Sequence, residues 1–138
     1  MTGGTPASVR VHERIQWADT DASGHYHFGT AFRLFEAAEA RLLDGLGLLK
    51  KTAGRFPRVH ASADFKRVLH YDDLVEVVLT VDGVGRSSVR YRFEVRHEGV
   101  VCVEGEAAAV LLTDSEGDTA AWSPEERELL LTSGPLPG

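Results

Sequence analysis

Cysteine is nearly absent from this chain. Cys102 is the only one among 138 residues, so no disulfide can close within the chain and no Cys-based metal cluster is available. No stretch approaches the ~18 consecutive apolar residues a membrane helix needs, so no membrane insertion is expected. Residues 1 to 6 have neither a basic start nor an apolar run, so no secretory signal is expected, and the expected compartment is the cytoplasm. Positive charge is not in excess. Fifteen Lys plus Arg face 21 Asp plus Glu, a net charge of −6, so no nucleic-acid binding is expected from a chain without a basic footprint. A Gly-rich phosphate loop and a nucleophile elbow are both missing. No proline falls between Pro6 and Pro57.

What is present suits one domain. The apolar fraction is 43%, enough for a core without metal or disulfide staples. Residues 1–8 are small and polar and read as a flexible leader, with 9–138 as a single domain. Val9, Val11, Ile15 and Trp17 alternate with polar residues, the period of a half-buried strand. Turn formers follow from Asp19 to Gly24. From Thr30 to Leu46 the period changes: Phe32, Phe35, Ala38, Leu42 and Leu46 lie at three- and four-residue spacing, one apolar helix stripe. Four strands come next, built on Val59–Phe65, Val75–Val81, Val89–Val95 and Val100–Leu112. Short turns join them, at Asp82-Gly83 with Gly85–Ser87 and at His97–Gly99, and short turns require antiparallel pairing. Ser123-Pro124-Glu125-Glu126 predicts a capped C-terminal helix, and the last five residues read as a tail. The class is α+β, an antiparallel sheet of about five strands wrapped around one long helix.

The densest reactive group is Asp19, Asp21, His25 and His27, in the loop that feeds the long helix. A helix N-terminus offers unpaired N–H groups to a developing negative charge. A carboxylate beside it can act as nucleophile or as base for water. The same residues also make an ordinary turn with Thr30 as helix cap. His25 and His27 are two apart with no third ligand pattern, so no metal is assigned to them. Glu36 and Glu39, on the helix, are the alternative candidates for a catalytic carboxylate and otherwise read as exposed helix charges. Cys102, between Val101 and Val103, reads as a small core residue.

The stretch from Trp17 to Phe28, with Asp19-Thr20-Asp21-Ala22-Ser23-Gly24 inside it and Phe32–Ala38 behind it, resembles the signature of the 4-hydroxybenzoyl-CoA thioesterase family. Val59 to Asp73 is similar to the family's second strand and the turn after it, and the resemblance runs from about Val9 to Leu112. It implies the hotdog fold and hydrolysis of an acyl-CoA or acyl carrier protein thioester, with no metal or redox cofactor. By position, Asp21 is the implied nucleophile or general base. The amide of Phe28 is the implied group on the carbonyl. His27, where the family often has Tyr or Trp, is the residue expected to orient water or the carbonyl. Substrate contacts are expected at His25 and Glu36, with His60, Lys66 and Arg67 for the CoA phosphates. The family's edge-to-edge assembly implies a homodimer or homotetramer. Two alternatives remain: a hotdog dehydratase or hydratase with His25 or His27 as base, and a non-catalytic acyl-CoA-binding protein. The proline-free run counts against the first, because the dehydratase motifs carry proline.

Overall fold

The computed structural model describes residues 4–21 and 23–138. Its first strand, β1 (Thr5–Arg14), is followed by a 3-10 turn at Trp17–Asp19 and helix α1 (Thr30–Gly45). A one-turn helix α2 (Leu49–Thr52) leads into strands β2 (Arg58–Phe65), β3 (Leu74–Val84), β4 (Ser88–His97) and β5 (Val100–Val110). Helix α3 (Pro124–Thr132) and strand β6 (Ser133–Leu136) complete the chain. The strands form one sheet in the order β2-β5-β4-β3-β1-β6.

Three expectations are corrected here. The sheet has six strands and is mixed, because β6 pairs with β1 in parallel. That pairing also takes up residues 5–8 of the supposed leader and most of the supposed tail: Thr5 lies opposite Ser133, and Ser8 opposite Pro135. A four-residue segment with a proline shows no alternation, so only its pairing makes it a strand. Residues 1–3 of the leader fall outside the described residues. Trp17 leaves the β1 alternation as well. It is 75% exposed and sits on the 3-10 turn.

Helix α1 is sixteen residues long and buries Ala31, Leu34, Phe35, Ala38 and Leu42. The buried face thus lies slightly around from the expected stripe, with Phe32 only half-buried. Its end follows from Gly47 at φ +74. With that residue left-handed, Leu48 N–H reaches Leu43 O at 2.8 Å and Gly47 N–H reaches Asp44 O at 3.0 Å, satisfying carbonyls the helix leaves free.

The inward sheet face is formed by Val75, Val77, Leu79 and Val81 of β3 and Val89, Tyr91, Phe93 and Val95 of β4, all buried. The Phe35 ring of α1 packs between Tyr91 (5.5 Å) and Phe93 (5.3 Å). Beside these rings β5 carries Gly105, Ala107 and Ala109. The small residues are a volume match. A Cβ on Gly105 would lie 2.3 Å from the Phe93 ring. Cys102 is buried, as its alternation predicts, and Ser123 caps α3 in a full capping box with Glu126. At the far edge, β2 pairs only with β5, and nearly all of it is exposed on both faces. Among the described residues no helix is long and apolar enough to cross a membrane.

Candidate active site

The loop between β1 and α1 folds tightly on itself. Asp21 N–H donates to His25 O (2.9 Å) and Gly24 N–H returns to Asp21 O (3.0 Å), with Gly24 in the left-handed region at φ +85. Tyr26 N–H donates to Leu69 O (3.0 Å), which stitches the loop to the turn before β3. The His25 and His70 rings meet edge to face at 5.2 Å.

The two aspartates of the motif differ completely. Asp21 is exposed. Its Oδ1 accepts both the Ser23 hydroxyl and the Ser23 N–H (2.8 Å), and among the described residues Oδ2 accepts no hydrogen bond. The Ser23 donors, with His25 and His27 nearby, hold its carboxyl below the usual range. Asp19 is 4% exposed. Burial alone pushes its carboxyl up, but the Arg33 fork (Nε to Oδ1 2.8 Å, Nη2 to Oδ2 2.7 Å) and the Gln16 N–H (2.7 Å) pull it below the usual range. A carboxylate saturated by these donors is structural; one with a free oxygen in a cleft can react.

A cavity of about 380 Å³ brings Asp21, His25, Tyr26 and Phe28 of the loop together with Phe65, Lys66, Arg67 and Val68 from the end of β2. That volume suits a small-molecule site. Neither the Phe28 nor the Gly29 N–H donates to a backbone acceptor among the described residues, so both remain available at the start of α1. Tyr26 is the buried member of the lining. Its phenol is buried without a partner, and burial, with Cys102 nearby, pushes its pKa up to about 12.

Five of the eight expected site residues therefore share one cavity: Asp21, His25, Phe28, Lys66 and Arg67. Three do not line it. His27 is exposed, with its ring over Gly29. His60 is exposed on β2. Glu36 lies on α1 beside Arg58 (3.5 Å), facing a second cavity of about 450 Å³.

Sequence reasoning also missed one buried group. Glu39 is 5% exposed, not a solvated helix charge. Its Oε1 accepts from Arg58 Nη2, while Oε2 and the neighbouring Tyr91 hydroxyl are buried without hydrogen-bond partners. Burial pushes both its carboxyl and the Tyr91 phenol upward. No pattern at Ala38-Glu39-Ala40 distinguishes this glutamate from a surface one. No set of three or more metal-ligating side chains comes together among the described residues.

Comparison with known proteins follows the same lines. The sequence profile described as "Thioesterase superfamily" matches residues 23–104, more than half of the chain. A thioesterase from Thermus thermophilus, solved with coenzyme A and zinc, shares 26% identity at a TM-score of 0.78, over 88% of this chain and 95% of that one. A hypothetical protein from Aquifex aeolicus shares 25% identity at a TM-score of 0.79, over 88% and 98%. A 1,4-dihydroxy-2-naphthoyl-CoA thioesterase from Synechocystis shares 22% identity at a TM-score of 0.78, over 89% and 95%, a likeness of fold.

Proposed function

The chain belongs to the thioesterase superfamily, and on that premise we propose that it hydrolyses an acyl-CoA thioester at the cavity holding Asp21. The observation that carries this reading is an ionised carboxylate, free at Oδ2, in one cavity with Phe28, whose amide, like that of Gly29 next to it in the chain, has no backbone acceptor among the described residues. The thioester carbonyl oxygen would accept from those amides, which meet the negative charge that builds on it. Asp21 Oδ2 would attack the carbonyl carbon, the C–S bond would break, and the thiolate would leave and take a proton from water. Water would then cleave the acyl–Asp21 anhydride, releasing the acid and restoring the carboxylate. Acting instead as base, Asp21 would draw a proton from a water that attacks directly. Both routes give the same products.

Lys66 and Arg67, at the cavity mouth, suit the CoA phosphates. In this reading the fold is the hotdog, with the sheet curled around α1. The open β2 edge pairs with a second copy, which closes the site between two protomers.

The test is release of free thiol from a panel of aliphatic and aromatic acyl-CoAs, by wild type and by Asp21→Asn. The reading expects turnover on at least one member of the panel and a loss of ~10² or more in the variant, with fold and oligomer unchanged. Wild-type turnover in Asp21→Asn, or none in the wild type, overturns it.

A further inference from the structure

Asp19 stands where three parts of the site meet. Its carboxylate takes the Gln16 N–H (2.7 Å) just beyond β1 and both arms of Arg33 (2.8 and 2.7 Å), one turn into α1. Its own carbonyl takes the Thr30 hydroxyl (3.0 Å) and the His27 N–H (2.8 Å). The same Arg33 reaches back to Arg14 O (3.3 Å) and Glu13 (3.5 Å). His27 N–H belongs to the peptide immediately before the one that presents the Phe28 N–H. Fixing one peptide plane restricts the next, because only two soft dihedrals lie between them.

We infer that Asp19, through Arg33, is a positioning residue that sets the direction of the Phe28 and Gly29 N–H groups relative to Asp21. The inference rests on the reading of those amides as the groups that polarise the carbonyl. The geometry has the features such a role needs. A planar guanidinium held at two oxygens allows one orientation, whereas a lysine in its place would satisfy charge without fixing angle. The carboxylate end of the anchor is also buried, which limits the competition from water that the partly exposed Arg33 still meets. Asp19 itself does not line the cavity. Its action on the reaction is indirect, and small errors of aim at a carbonyl-binding group are costly in rate.

The experiment uses Asp19→Asn and Arg33→Lys, the second guarding against a folding defect in the first. Two readouts are taken. In amide NMR spectra of the full chain, the Phe28 and Gly29 N–H signals move in both variants while those of β3 and β4 stay in place. In hydrolysis of the acyl-CoA the wild type turns over fastest, kcat falls tenfold or more per folded molecule and KM changes less than twofold. Unmoved Phe28 and Gly29 signals overturn the inference whatever the activity. A kcat that falls only in proportion to the folded fraction also overturns it and leaves a structural ion pair. A wild type without any hydrolysis counts against the functional reading. The NMR arm then still decides whether Asp19 aims these amides.

Discussion

Glu39 and Arg58 meet across the space between α1 and β2, a buried carboxylate against a guanidinium that also covers the Phe35 ring at 5.1 Å. The arrangement is lopsided. Arg58 keeps Glu36 and partial solvent, while Glu39 Oε2 is buried with only the Tyr91 hydroxyl beside it.

The pH dependence of stability follows from that imbalance. Burial raises the Glu39 carboxyl above its ordinary value of 4.5. A carboxyl raised on folding contributes stability that is fully present below the unfolded pKa and is lost as pH rises through the folded one. Glu39→Gln removes that loss. Its melting temperature should match wild type below the ordinary carboxyl value of 4.5 and rise above it as pH climbs past that value, levelling off once the folded carboxyl has ionised. A variant less stable than wild type at pH 8 shows that the ion pair outweighs the desolvation.

The two motif aspartates shift the other way, and in the proposed mechanism it is Asp21 that governs rate. Its carboxyl lies below the ordinary 3.8, chiefly through the Ser23 hydroxyl. Hydrolysis that needs the ionised form is present above that pKa and fades as pH falls through it. Ser23→Ala removes the largest cause, so the acid limb of kcat/KM should move upward, toward the usual carboxylate range. An unchanged limb would detach Asp21 from the rate-limiting ionisation.

His27 tests how much of the reaction depends on the loop beyond Asp21. His27→Ala should lower turnover about tenfold without abolishing it, since Asp21 and the helix amides remain. If His27 is instead the base of a hydratase, wild type adds water to an enoyl-CoA and the variant does not. Thiol release, enoyl-CoA hydration and melting temperature, measured on this one variant, distinguish the cases.

The core gives a size-based prediction. Phe35 fills the space between Tyr91 and Phe93, and Phe35→Ala should cost about 3–5 kcal/mol in denaturant unfolding. Gly105→Ala should also destabilise, because its methyl would enter the Phe93 ring and the Ser62 carbonyl.

Assembly is open to direct measurement. Wild type should sediment as a dimer or larger species. Val59→Lys with Ala61→Lys, both on the exposed β2 edge, should weaken association tenfold or more while each copy stays folded. A monomer that hydrolyses thioesters at full rate removes the two-copy site.

Much of this was legible in the residues because alternation and helical spacing report burial directly. Val75–Val81 and Val89–Val95 are buried at every second position, and Ser123-Pro124-x-Glu126 capped α3 as its chemistry dictates. The misses share a cause. β6 became a strand by pairing with β1, Glu39 was buried by what lies over it, and Trp17 was turned out by a 3-10 turn. None of these has a periodic signal. The loop lines the cavity, yet composition alone could not separate Asp19 from Asp21. Only the partner of each, Arg33 or Ser23, distinguishes them, and Arg33 lies fourteen residues from Asp19 along the chain.

The short strand β6 also has a bearing on how many copies can join. Without it, β1 and β2 would present two long, pairable borders, and copies could add at either side without limit, the geometry of a fibre. With Ser133–Leu136 laid along β1, that border ends in four residues interrupted by Pro135, a poor template for a further strand. In the proposed assembly only the β2 border is left to recruit, and growth along the sheet would stop at a pair.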